Sequence, residues 1–195
     1  LVITPLIALM KDQVENLRRR HIKAASIHSG MTREQIITTL ENCIFGAIKI
    51  LYVSPERLSS RLFLTKLRHV NVSFITVDEA HCITQWGYDF RPSYLKIAEL
   101  RDLLPGKPVL ALTATATPAV VEDIQDKLKF SEKNVFKMSF LRSNLAYIVR
   151  NTENRRLEML HILNKVEGCG IVYTRNRQET KEIAEYLCNN GIIAT

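Results

Sequence analysis

No stretch of this 195-residue chain is apolar for long enough to cross a membrane, and no basic, apolar and small-residue succession marks a signal peptide. No CxxC or Cys/His pair of zinc-finger spacing occurs: Cys43, Cys82, Cys169 and Cys188 stand far apart, as isolated thiols do in a reducing compartment. The HExxH of a zinc hydrolase is missing. No GxGxxG follows any strand-like run, which argues against an ordinary dinucleotide dehydrogenase. GxxxxGK[ST] is absent too, and with it the backbone cradle and lysine that grip the β- and γ-phosphates of a nucleotide. Internal repeats and low-complexity tracts are lacking.

What is present is an ordinary globular balance, 24% charged and 46% hydrophobic residues, unlike a disordered or fibrous chain. Lys and Arg outnumber Asp and Glu by 27 to 20, a formal charge of +7. That excess suits a polyanionic partner, because cationic surfaces concentrate phosphate backbones, and suits equally a protein with merely solvated lysines. The length allows one well-buried domain and the start of a second. Leu1-Val2-Ile3-Thr4 already resembles the middle of a buried strand, and Gly191 to Thr195 stops where another strand should begin, so the chain is expected to be an internal fragment.

Short β-rich runs alternate with amphipathic helical stretches, the pattern of a parallel α/β sheet flanked by helices. Strands are expected at Leu1–Thr4, Ala24–Ile27, Ile48–Val53, Val72–Val77 and Val109–Leu112, with a last one at Val135–Met138. Leu6, Leu9, Met10, Val14 and Leu17 share one face of a helix. Thr32 and Gln35 form a capping box. Thr117 and Pro118 supply an N-cap and first-turn proline for a helix to about Leu128, with Glu122 and Asp123 near its start. A connection over 139–154 is followed by a helix around Leu157–Leu163, a buried strand at Gly170–Tyr173 and a helix over Glu179–Cys188 closed by Asn190 and Gly191.

The strand at Val72–Val77 ends in Asp78-Glu79-Ala80-His81. Ligands of open α/β sheets gather at strand carboxyl ends, so adjacent carboxylates there face a crevice. Nucleotide hydrolysis uses both: Asp78 would hold the magnesium that bridges the phosphates, and Glu79 would deprotonate the attacking water. The same pair could simply cap the following turn, and His81 could be an ordinary surface histidine. Shortly downstream, Trp86 (the only tryptophan), Tyr88, Phe90 and Arg91 crowd into a stretch punctuated by Gly87 and Pro92. Aromatic rings with Arg on a loop suit base stacking and phosphate contact with single strands, though rings also pack cores.

Asp78-Glu79-Ala80-His81 running into Gln85-Trp86-Gly87 and Phe90-Arg91-Pro92 closely resembles the DEAH box and aromatic-rich loop of RecQ helicases. Other stretches agree in order: residues 1–14 resemble the family's motif Ia, Tyr52–Leu58 motif Ib, Ala111–Thr117 motif III, and Gly170–Arg177 motif IV. The resemblance implies RecA-like parallel sheets flanked by helices: a first motor domain over 1–138 lacking its N-terminal part, then a linker and the start of a second over 139–195. ATP with Mg2+ would bind between the two domains, served by Asp78 and Glu79, with Thr113 and Thr115 beside the γ-phosphate. DNA, single-stranded or at duplex junctions, would meet Trp86, Tyr88, Phe90 and Arg91, the backbone-contacting Ser54, Pro55 and Arg57, and also Lys11, Ser29, Gly30, Thr174, Arg175 and Asn176. His81 and the loop would report bound DNA to the ATPase site.

The implied activity is 3′-to-5′ DNA unwinding driven by ATP, in repair and recombination, in a bacterial cytoplasm at the nucleoid and without a membrane partner. Departures from the family pattern are the missing phosphate loop, adenine-reading segment and arginine finger, so this polypeptide alone is expected not to hydrolyse ATP. Alternatives are another superfamily 2 motor acting on RNA, or a non-hydrolysing nucleic-acid-binding module.

Overall fold

The computed structural model describes residues 1–85, 89–139 and 142–195. The chain divides into two compact units, Leu1–Phe136 and Lys137–Thr195. The first is built on five parallel strands: β1 (Val2–Ile3), β2 (Ala24–Ile27), β3 (Ile50–Val53), β4 (Ile75–Val77) and β5 (Val109–Ala111), in the order β2-β3-β1-β4-β5. The helices are α1 (Ile7–Arg19), α2 (Arg33–Ile44), α3 (Arg61–Leu67), α4 (Glu99–Leu103) and α5 (Pro118–Lys127), with 3-10 turns at Pro55–Ser59, Ala80–Ile83 and Pro92–Ala98. Right-handed crossovers put α1 on one face of the sheet and α2, α3 and α4 on the other. Lys66 on α3 bonds Glu41 on α2 at 3.0 Å, as neighbours on one face should.

The strands are shorter than their apolar runs, but their register is strict. Ile27, Val53, Ile3 and Val77 stand side by side, and all four are 0% exposed. Each such aliphatic side chain contributes about 1.5–3 kcal/mol by burial. Each strand then ends, and the next position across the sheet carries His28, Ser54, Thr4, Asp78 and Leu112. Ladder bonds extend into this row: Ser54 N donates to Ile27 O, Thr4 N to Val53 O, Asp78 N to Ile3 O and Leu112 N to Val77 O, at 2.8–3.2 Å. An apolar row thus fixes a row at the carboxyl edge that is polar everywhere except Leu112. The chain works outward from β1 to β2, returns through β3, and then crosses β1 to reach β4, so the order reverses between β1 and β4. Ligand crevices of open sheets lie at such a reversal.

Both local signals at helix starts are realised. Thr32 Oγ1 accepts from Gln35 N at 3.2 Å while the Gln35 side chain accepts from Thr32 N at 2.9 Å. Thr117 Oγ1 accepts from Val120 N ahead of α5. The α1 stripe is unevenly buried: Met10 and Val14 are buried, while Leu6 and Leu9 remain 47% and 37% exposed. Two expectations need correction. Glu122 and Asp123 fall beyond the first turn of α5; Asp123 instead pairs with Lys127 at 2.8 Å. Val135–Met138 is not a strand: Phe136 is 96% exposed, and the segment joins no ladder among the described residues.

The second unit contains α6 (Arg155–Lys165) and α7 (Arg177–Asn189), N-capped by Asn154 and Asn176. α7 closes at Asn190, followed by Gly191 at φ +82°. The buried strand expected at Gly170–Tyr173 is absent, with Ile171 81% and Tyr173 90% exposed. β-Prone residues form a strand only where a neighbour accepts their backbone bonds, and none of the described residues does so here.

Candidate active site

Asp78 and Thr4 meet at the sheet's reversal point. Thr4 Oγ1 donates to Asp78 Oδ2 at 3.1 Å, and Glu79 N donates to Asp78 Oδ1 at 3.0 Å. Asp78 is half-buried. Glu79 takes a left-handed conformation, φ 48° and ψ 44°. A non-glycine residue pays steric energy there, and such strain persists where the surroundings over-determine the backbone. The ladder does so here: Asp78 N is tied to Ile3 O before the strained residue, and Ala80 N to Leu112 O after it. The resulting kink turns the chain from β4 directly into the Ala80–Ile83 turn.

That turn presents His81. Its Nδ1 lies 3.0 Å from Thr113 Oγ1, 3.5 Å from Thr115 Oγ1 and 3.4 Å from Glu79 Oε2. Asp78, Glu79, His81, Thr113 and Thr115 are thereby brought into one hydrogen-bonded array at the ends of β4 and β5. Three residues that the sequence did not single out hold it. Thr4 is one; it ends a strand as Asp78 does, and that parallel was the available signal. Tyr94, 0% exposed, donates its hydroxyl to Asp78 O at 2.9 Å, and burial drives its phenol well above the ordinary range. Lys127 Nζ reaches from α5 to Ile83 O at 3.2 Å. No sequence periodicity marks these last two, because both contacts depend on distant chain segments.

The downstream loop is anchored to the same turn. Arg91 N donates to Cys82 O at 2.9 Å, and the Asp89 carboxylate accepts from the Arg91 guanidinium at 3.0 and 3.3 Å and from Cys82 Sγ at 3.6 Å. The Arg91 bond is the chief reason that the Asp89 carboxyl sits below its usual range. Burial, then the neighbouring Asp89, pushes the Cys82 thiol up to about 11. Phe90 is half-buried, whereas Trp86 and Tyr88 lie outside the described residues.

The other expected contacts divide. Arg57 donates to His28 O at 2.7 and 3.2 Å, joining the turn after β3 to the loop that carries exposed Ser29 and Gly30; Lys11, exposed on α1, lines the same groove as His28 and Gly30. Ser54 and Pro55 are buried, Ser54 to 1% exposure, so neither offers the open surface expected of a DNA-backbone contact. Ser54 belongs instead to the polar row beside Thr4. Thr174, Arg175 and Asn176 lie in the second unit, where the Asn176 side chain is already engaged with Glu179 N at 2.9 Å as a helix cap.

An open parallel sheet with a strained acidic turn at its reversal point defines an α/β protein whose ligand crevice lies at the strand carboxyl ends. Residues 1–124 match the family model described as DEAD/DEAH box helicase, and the chain belongs to that family. The resemblance to RecQ helicases read from the ordered motifs is borne out over the whole chain. It is 44% identical to "ATP-dependent DNA helicase RecQ" of Bacillus subtilis (strain 168), a match covering 100% of this chain and 33% of that protein. The protein of the same name from Pasteurella multocida (strain Pm70) is 39% identical over 100% of this chain and 31% of its own length. The chain thus spans about a third of these relatives. Among solved structures, the Hef helicase domain of Pyrococcus furiosus is similar at a TM-score of 0.49, 19% identity, 67% of this chain and 27% of that one.

Proposed function

We propose that the chain is the part of an ATP-dependent 3′-to-5′ DNA helicase that carries the acidic hydrolysis motif and its link to bound DNA. The supporting observation is the array in which Thr4, Asp78, Glu79, His81 and Thr113 join the ends of β1, β4 and β5. The donor set fits magnesium, a hard cation that binds through one or two carboxylates and keeps several waters. Asp78 would hold the ion, its carboxylate fixed by one bond to each oxygen and the residue only half-buried. Bound with ATP, the ion would neutralise charge on the phosphates. Glu79, half-buried and held by the left-handed turn, would take a proton from the attacking water.

His81 meets both Glu79 and the Thr113 hydroxyl through Nδ1, and its neighbour Cys82 is bonded to the loop that bears Phe90 and Arg91. A nucleobase stacked on that loop would therefore act on the general base through two residues. Among the described residues no helix is long and apolar enough to cross a membrane.

In the full-length protein, Glu79→Gln is expected to lower DNA-stimulated ATP turnover by about a hundredfold or more, the usual scale for a positioned general base. Unchanged turnover would remove Glu79 from that role. Stimulation of the unaltered protein by single-stranded RNA in place of DNA would overturn the substrate assignment.

A further inference from the structure

The geometry points to a second metal site, for a zinc-class divalent cation, formed by His81 Nε2, Cys82 Sγ and an Asp89 carboxylate oxygen. Among the described residues this is the one group of three His, Cys, Asp or Glu side chains whose ligand atoms converge, all within 4.8 Å of one another. Cys82 Sγ lies 3.9 Å from His81 Nε2 and 3.6 Å from Asp89 Oδ2. Tetrahedral zinc with bonds of about 2.3 Å to sulfur and about 2.0–2.1 Å to nitrogen and oxygen requires both separations to be about 3.6 Å. One ligand is therefore spaced for the ion and the other is about 0.3 Å too far by the same geometry.

The surroundings of the histidine also match a metal ligand. Ligating imidazoles engage their other ring nitrogen with a carboxylate or hydroxyl, which fixes the tautomer. His81 Nδ1 already meets Thr113 Oγ1 at 3.0 Å and Glu79 Oε2 at 3.4 Å, leaving Nε2 to face the sulfur. Sulfur with imidazole selects a borderline-soft ion over magnesium or calcium, so this site is chemically distinct from the Asp78 carboxylate. Asp89 is exposed, which leaves the fourth position open to water. On binding, the sulfur–metal bond replaces S–H and the proton goes to solvent. Arg91 holds the Asp89 carboxylate at 3.0 Å and is the competitor that the ion must displace. Occupancy would tie the turn carrying His81 to the far end of the loop and release Arg91. That consequence rests on the functional reading above; the binding itself does not.

The full chain with exposed Cys169 and Cys188 changed to Ser is titrated with Co2+, and then with Zn2+ as competitor. One equivalent should give a sulfur-to-cobalt charge-transfer band in the near ultraviolet and the visible bands of a four-coordinate ion, both erased by Zn2+. Cys82→Ser should abolish the charge-transfer band, Asp89→Asn should weaken binding by more than about tenfold, and Arg91→Ala should tighten it. A band that survives Cys82→Ser, or no saturable band at all, overturns the site. Should Cys82→Ser not fold, Asp89→Asn decides alone, because its side chain is exposed: unchanged affinity refutes the proposal. In the full-length protein, Zn2+ should suppress DNA stimulation of turnover; binding without suppression would keep the site and refute only its consequence.

Discussion

The two units of this chain are held by different kinds of interaction. In Leu1–Phe136, residues far apart in sequence meet: Thr4 with Asp78, His81 with Thr113, and Lys127 with Ile83, over a sheet whose central row is wholly buried. In Lys137–Thr195, α6 buries no residue and α7 only Leu187, and most of the polar contacts stay within a turn or two: Asn154 with Leu157, Asn176 with Glu179, Thr174 with Thr180. The bridge between the helices, Arg156–Glu182, is about half-exposed on both sides. Such pairs contribute about 0–1 kcal/mol. Capping signals suffice to start helices in both units. Only a paired sheet edge fixes side chains closely enough for chemistry.

Thiol reactivity should break the chain along the same line, and with the largest contrast. Cys43 and Cys82 are buried and their thiols are pushed up to about 11, chiefly by burial, whereas Cys169 and Cys188 are exposed. At pH 8 a thiol titrating three units higher is about one part in a thousand thiolate, the reactive form. Iodoacetamide mapped by mass spectrometry should therefore label Cys169 and Cys188 first, with Cys43 and Cys82 about a hundredfold slower or more, since a free cysteine, titrating at about 8.5, is only partly thiolate at that pH. Equal rates would mean that the first unit opens readily. The linkage has a definite sign. Because folding raises these two thiols from 9.0 to about 11, stability is unaffected below about pH 9 and falls as pH climbs toward 11, where the unfolded chain has lost protons that the folded chain keeps. Chemical denaturation at pH 8 and pH 10.5 should register the drop.

Core truncation comes next. Phe63 is 0% exposed, and Phe63→Ala should destabilise the first unit by about 3–5 kcal/mol, through lost transfer energy plus a residual cavity. Leu187 is 4% exposed but lies on a helix with no other buried residue, so Leu187→Ala should cost the second unit about 2 kcal/mol or less. Urea unfolding followed separately in each unit measures both. Similar losses would erase the distinction.

The same distinction governs what the sequence disclosed. All five strands of the sheet, the capping box at Thr32 and the N-cap at Thr117 were legible because β-rich runs and caps are local. The acidic pair was legible because it follows a strand directly. Three things were not. The left-handed backbone of Glu79 is imposed by ladder bonds to Ile3 and Leu112. The contacts of Tyr94 and Lys127 with the acidic turn depend on segments more than a dozen residues away. The expected strands at 135–138 and 170–173 have suitable residues and no partner, and β-propensity alone does not create one.

A smaller effect tests the caps. Asn176→Ala removes the acceptor for Glu179 N and should cost about 1 kcal/mol, and Thr117→Ala should cost the same ahead of α5. Amide exchange should reveal the first as fraying confined to α7. The second should spread beyond α5, because Lys127 at the end of that helix holds Ile83. If both remain local, the acidic turn does not depend on α5.

The smallest expected change concerns Glu79, where two opposing terms nearly cancel. Glycine would relieve the left-handed backbone, worth about 1 kcal/mol or more, but would widen the unfolded ensemble by about 0.5–1 kcal/mol. It would also delete the carboxylate 3.4 Å from His81 Nδ1, a partly exposed contact of little energy. Glu79→Gly should therefore raise unfolding free energy by roughly 0.5 kcal/mol while abolishing the proposed base. A measured loss of stability would mean that the carboxylate's contact with His81 outweighs the strain, making Glu79 structural in the resting state. A gain would mean that the fold holds a side chain in a conformation that it resists, which is the expected signature of a residue retained for its chemistry.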